Sequence, residues 1–312
     1  MAVWTLKERN DLVRANQAIT AGNKGLFGGN NPALNSVDHL NITIASNATD
    51  FGDLTEANRK SAAAGAVTRF IRWGGETPSA VNTCDFANPF NAGNFTDFGD
   101  LSVTRRLCAG LSNSTRGVCL GGSVPGSNSD TIDYITLEAT GISQDFGNLR
   151  GGNDAFGSTV ASPVRGIYAD GTATNGTLDF ITISTTGDSQ FFGDLATNRG
   201  TTIHSASNST RGIFAGGYSN PGTGANTNII EFVTIATLGN AQDFGDLTRT
   251  TAECNGGAAS PTRAIFSGGG PSSGSDTVDY VEIASTGNAI DFGNLITGSF
   301  HNSACSNGHG GL

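Results

Sequence analysis

The side chains with chemistry to offer are few: five cysteines, four histidines and two charged series that recur at regular intervals. Cys84, Cys108, Cys119, Cys254 and Cys305 form no C-x-x-C pair, and an odd number cannot all pair within one chain, so they read as reduced structural thiols. His39, His204, His301 and His309 include no i, i+4 pair, which leaves no local zinc motif. The carboxylate series is Asp50, Asp97, Asp145, Asp243 and Asp291, each opening an Asp-Phe-Gly segment. The basic series is Lys24, Arg69, Arg116, Arg165, Arg211 and Arg263. Calcium requires about six to eight oxygens converging from a compact loop. These acids stand one per segment, so they are expected to accept backbone hydrogen bonds or to meet the basic series. Protein kinases also carry Asp-Phe-Gly, but no Gly-rich nucleotide loop or His-Arg-Asp loop accompanies it here, and no Ser-His-Asp series is identifiable. No catalytic, cofactor-binding or metal-ligating residue is assigned, and a non-enzymatic protein is expected.

These residues recur because the chain repeats. Residues 50–54 (DFGDL) return at 97–101, 145–149, 191–195, 243–247 and 291–295, at spacings of 47, 48, 46, 52 and 48 residues. Midway between them a basic residue opens RFIRWGG at 69–75, RGVCLGG at 116–122, RGIYADG at 165–171, RGIFAGG at 211–217 and RAIFSGG at 263–269, with a shorter first copy at 24–29. A third landmark alternates β-branched or aromatic residues with polar ones: TIDYITL at 131–137, TLDFITI at 177–183, NIIEFVTI at 228–235 and TVDYVEI at 277–283. Such alternation reads as a strand with one buried face.

The unit at 252–295 then parses into four strands, AECNG, RAIFS, TVDYVEI and AIDFGNL, reversed at glycine-rich turns. No unit holds a helical pattern long enough for a crossover, so the sheets are antiparallel. A sheet apolar on both faces is unstable alone, and radial stacking of six buries those faces. An all-β, six-bladed β-propeller of four-stranded antiparallel blades is predicted over a linear solenoid. Its ends are expected to share one blade, with residues about 302–307 pairing beside about 24–29; the competing assignment uses 15–22 instead. The domain organisation is then an N-terminal arm or cap at 1–20 and one propeller at 21–312.

Within a ring, His204, Cys108, Cys254 and Cys305 share the first-strand slot, where several would look toward the central channel, although burial as structural residues is the simpler use. The recurring arginines could likewise line the channel and catch an anion; structural contacts are preferred. Phe51, Phe98, Phe146, Phe192, Phe244 and Phe292 are expected to fill the space between blades. The second unit is irregular, with CDFANPFNAGNFTDFGDL at 84–101 in place of an alternating strand, and YSNPGTGANTN at 218–228 lengthens the fifth. Loops 84–95 and 218–228, and the arm with Trp4, Leu6, Leu12 and Val13, are the candidate contact sites. Trp73 and Phe90 are the candidate exposed aromatics, although core packing is the preferred use for both.

Composition agrees with a turn-rich β protein: 45 glycines in 312 residues and 14% charged residues, against about 25% in ordinary domains. A net charge of −10 opposes nucleic-acid binding through phosphates. No run approaches the ~18 to 20 apolar residues of a membrane span, and MAVWTLKERNDLVR places charges where a signal peptide needs its apolar run, so neither membrane insertion nor export is expected.

Double glycine at Gly121-Gly122 and Gly268-Gly269, followed by Tyr134 with Phe146 and Tyr280 with Phe292, resembles the kelch type of propeller repeat, with Phe where kelch blades carry tryptophan. Units reading TRGxFAGG, IDYITI and TGNAxDFGDL are similar to repeats in virion proteins of bacteriophages of marine and cyanobacterial hosts. That resemblance implies a tail-associated or particle-surface component, located in the virion, whose partners are other virion proteins and which needs no cofactor. The alternative is a receptor- or glycan-binding propeller used in host recognition.

Overall fold

The Asp-Phe-Gly segment is a β-bulge. In the third blade Ile132 pairs with Gly147 and Asp133 with Asp145, so Phe146 is the extra residue, and the register shifts at the same point in all six sheets. The bulge turns the phenylalanine inward while its aspartate stays outside. All six of these phenylalanines are buried. The glycine is required by contact: Gly99 has φ +141°, and a Cβ there would overlap the carbonyl of Gly141 in the next blade.

The computed structural model describes residues 22–151, 155–171, 176–200, 203–219, 224–253, 256–270 and 274–312. The arm at 1–20 lies outside them. The chain forms a six-bladed β-propeller whose blades are four-stranded antiparallel sheets; the fifth is extended by short strands at Arg199–Gly200 and Tyr218–Ser219. Blade 2 shows the plan, from Ala62–Gly65 on the channel through Phe70–Trp73 and Thr83–Ala87 to Thr96–Asp100 at the rim. Blade 1 takes its second, third and rim strands from Lys24–Gly28, Leu34–Asn41 and Thr49–Asn58, and its channel strand from Ser303–Ser306. Gly25 pairs with Ser306 and Gly28 with Ser303, which is the predicted closure.

Two predicted details change. The channel strand of the sixth blade is Gly257–Ala259, which follows the AECNG segment at 252–256; residues 254–255 of that segment lie outside the described set, and Glu253 ahead of them has φ +61°. Blade 2 keeps its third strand: Cys84-Asp85-Phe86 occupies the positions of Ile132-Asp133-Tyr134. Its irregularity is confined to the flanking loops.

Six hydrophobic clusters hold the ring, each shared by two adjacent blades. Backbone bonds fasten the rims, since the loop before each rim strand lies on the bulge of the preceding blade. Gly141 N donates to Phe98 O at 2.8 Å and Ser143 N to Asp100 O at 2.8 Å; Ala48 N on Asn294 O, also 2.8 Å, closes the circle. An asparagine or aspartate reinforces this clasp at 47, 94, 188, 240 and 288. Ile142 stands there in the third blade.

Antiparallel strands give the disc two distinct faces. Turns between first and second strands, and loops between third and fourth, emerge on what we call the upper face. The double-glycine loops and the connections between blades emerge on the lower face. In blades 2, 3, 5 and 6 double glycine is needed there because both residues take positive φ, as Gly74 (+56°) and Gly75 (+104°) do.

Candidate functional site

The basic series lies away from the channel. Each arginine sits over the third-strand aromatic of its own blade, as Arg116 does at 4.2 Å from the Tyr134 centroid, and that ring meets the bulge phenylalanine edge to face. The guanidinium then reaches the next blade: Arg116 to Ile183 O at 2.9 Å, Arg165 to Ile235 O at 2.9 Å, Arg211 to Ile283 O at 3.0 Å. These are the structural backbone contacts preferred from the sequence. Aspartate pairing is overturned: Asp50, Asp97, Asp145, Asp243 and Asp291 are exposed at the rim, because the bulge turns them outward.

A second set of acids, which motif repetition did not single out, carries the buried electrostatics. Asp38, Asp85, Asp133, Asp179, Glu231 and Asp279 occupy one position in the six third strands, beside the bulge. Asp133 accepts from Arg105 at 2.7 Å and from Ser102 Oγ at 2.8 Å, and Arg105 also donates to Gly121 O and Thr131 O. Asp85 pairs with Arg72, Asp179 with Arg150 and Glu231 with Arg199. Burial raises the Asp38 and Asp279 carboxyls above the ordinary range. The signal was the acid before each third-strand aromatic in IDY, LDF, IEF and VDY.

The channel is narrow. Ala63, Gly110, Thr159, Ser205, Ala258 and Ala304 are among its lining residues, around about 70 Å³ that water centres can occupy. That is room for a few waters, each needing about 10–15 Å³, and too little for a sugar ring. Small residues are dictated by the approach of the strands: a Cβ on Gly65 would overlap Ser306 O. Cys108 and Cys305 line this space with His309, whereas His204 packs against Phe266 and Cys254 lies outside the described residues. Burial pushes the Cys305 thiol up and His204 down to about 3. Among the described residues no group of three or more His, Cys, Asp or Glu side chains could hold a metal ion.

The C-terminal tail at 307–312 closes the upper mouth. His309 Nε2 donates to Gly65 O at 2.6 Å in the second blade and lies 3.1 Å from Ser112 Oγ in the third. Its Nδ1 accepts from Gly311 N at 3.0 Å, which fixes the neutral tautomer, and burial lowers its pKa. Gly310 N bonds Ser207 O at 2.8 Å in the fifth blade. The tail glycines fit backbone to backbone, for a Cβ on Gly310 would overlap Asn208 O and one on Gly311 would overlap Ser112 O.

The lower mouth is ringed by residues with positive φ. Lys60, Leu107, Phe156, Glu253 and His301 all have φ between 56° and 65°, where side chains carry strain. The conformation aims four of these N–H groups at the preceding blade: Lys60 N to His301 O at 3.1 Å, Leu107 N to Lys60 O at 2.7 Å, Phe156 N to Leu107 O at 2.9 Å and His301 N to Glu253 O at 2.9 Å. In one sector Glu76, only 5% exposed, lies against Arg59 at 2.5 Å, Lys60 at 3.2 Å and Arg106. Those hydrogen bonds outweigh burial and hold its carboxyl at about 2, although burial itself opposes ionisation.

The two irregular segments lie on opposite faces. Residues 88–94 are the upper loop of blade 2, with Phe90 41% exposed, while 84–87 are strand. The 218–228 segment belongs to the double-glycine loop of blade 5 on the lower face, where Tyr218 pairs with Gly200 and Asn226; its residues 220–223 lie outside the described set. Trp73 is 1% exposed and fills the interface between blades 2 and 3, so it is no sugar platform. No protein-family profile matches the chain, and no curated protein matches it significantly.

Proposed function

We propose that this protein is a non-enzymatic structural module of a phage-like virion, a rigid disc that joins neighbouring proteins through its two faces. The observation that carries this reading is the placement of the two departures from the repeat, 88–94 above and the described residues of 218–228 below. Six shared clusters and a circular clasp make the disc stiff, and stiffness is what transmits geometry between neighbours. The upper face adds exposed apolar side chains at Ile44, Ile142, Val164 and Leu238. The virion assignment rests on the resemblance of the repeats to phage particle proteins.

One observation favours host recognition as a second reading: Phe90 stands exposed among Asn88, Asn91 and Asn94, an aromatic beside amides of the kind that sugars stack on. Mass spectrometry and hydrogen exchange on purified particles test both. The structural reading expects the chain in the particle and both 88–94 and 218–228 protected relative to the free protein. It is overturned if particles lack the chain, or if both loops exchange freely and the protein binds glycans in a way that Phe90→Ala abolishes.

A further inference from the structure

Three arginines in the connections between blades meet one buried acid each: Arg105 meets Asp133, Arg150 meets Asp179 and Arg199 meets Glu231. The sector around Glu76 departs from that plan. Arg59 and Lys60 come from the connection between blades 1 and 2, Arg106 from that between blades 2 and 3, and all three converge on one carboxylate. Arg59 also donates to Asn31 Oδ1 at 2.6 Å, which fixes its position. Glu253 is the other acid nearby, its Oε2 3.5 Å from His301 Nε2. Three cations against two carboxylates leave one positive charge in a chain whose net charge is −10. Arg106 is 39% exposed at its side chain, so this charge is open to solvent.

A second observation points the same way. His301 is 8% exposed, packs against Phe300 at 4.3 Å between ring centroids with the rings tilted at 51°, and leaves its Nδ1 with no hydrogen-bond partner. A buried ring nitrogen without a partner is a donor or acceptor held ready at a cost.

We propose that this cluster on the lower face, formed by Arg59, Lys60, Arg106 and His301, is a receptor for one carboxylate presented by an acidic segment of a partner protein. The proposal rests on the scaffold reading above. A single carboxylate matches the surplus charge, and Glu76 already shows how these cations hold such a group. A phosphate dianion beside Glu76 and Glu253 would exceed it. Burial first, then the fields of Lys60 and Arg59, hold His301 down at about 4, against the opposing pull of Glu76. An entering carboxylate screens those cations and can accept from Nδ1, so binding is coupled to proton uptake.

The experiment uses the full chain and a tetraglutamate peptide, read by calorimetry and by the His301 ring resonances. The peptide is expected to bind more weakly as salt rises, and to raise the His301 pKa by about one unit or more. Arg106→Gln, at an exposed position, should weaken binding by about fivefold or more. Glu76→Gln, by removing the internal competitor, should tighten it, which a purely structural role for the cluster does not predict. No binding, unchanged affinity in Arg106→Gln, or equal affinity for inorganic phosphate overturns the site. Peptide binding is read on the isolated protein and incorporation on particles, so the site and the scaffold reading can fail separately.

Discussion

Asp133 and Asp145 face each other across adjacent strands of one blade, and their surroundings could hardly differ more. Asp145 opens the segment that made the repeat visible, yet it is exposed, and substitutions at such positions change stability by about 0.5 kcal/mol or less. Asp133 neutralises Arg105, whose side chain has no solvent exposure. Asp133→Ala leaves that guanidinium with carbonyl partners only, and should cost about 3–5 kcal/mol, read as a lower urea midpoint, with Asp145→Ala as the near-silent control. Sequence reading favoured Asp145 because the bulge conserves its neighbours Phe and Gly from blade to blade. It passed over Asp133 because the cations that make such acids matter arrive from different places: Arg72 from the second strand of blade 2, Arg105, Arg150 and Arg199 from connections of unequal length. Repetition reports backbone geometry more faithfully than it reports charge pairing.

At the scale of the blade, the same stack of arginine, aromatic and phenylalanine appears five times and weakens in the blade assembled from both ends of the chain. There Lys24 lies 5.0 Å from the Phe51 centroid and His39 replaces the third-strand Tyr or Phe. Lys24 is 3% exposed, and burial brings its pKa down to about 8, so an ammonium is held where a guanidinium would be better satisfied. Lys24→Arg with His39→Tyr restores the motif of the other blades and should raise stability by about 0.5–2 kcal/mol, seen as a higher midpoint of thermal unfolding. A lower midpoint would mean that blade 1 is shaped around the lysine. The strand RAIFS was readable to the residue because its opening arginine and the double glycine after it bound it at both ends. The channel strands were less so, since Ala, Gly and Ser carry no period, and the residues with positive φ ahead of them displace the start. The third strand of blade 2 was hidden because Thr83–Ala87 has Cys and Ala where the others carry Ile, Leu or Val, though its Asp and Phe were in register.

Closure of the whole ring depends on one short strand. Ser303–Ser306 supplies the channel edge of blade 1, pairs with Gly25–Gly28 across almost the full length of the chain, and packs against the channel strands on both sides, with Ser306 Oγ accepting from Ala259 N at 3.1 Å. The preceding His301 carbonyl also accepts the Lys60 N–H that links blade 1 to blade 2. A chain ending at Asn302 would keep every other strand but leave Lys24–Gly28 as an open edge and the apolar faces of blades 6 and 2 partly uncovered, conditions that favour aggregation. We therefore expect it to lose its single cooperative unfolding transition, and a synthetic peptide of residues 300–312 added in trans to restore that transition by strand addition. A chain ending at Ser306 separates closure from plugging. It retains the strand and should unfold cooperatively, but it lacks His309 and the glycines that fill the upper mouth, so thiol reagents should reach Cys108 and Cys305 much faster than in the full chain. If the chain ending at Asn302 unfolds at the full-length midpoint, the ring is held by its rim clasps and shared clusters alone, and the terminal strand is an accessory to them.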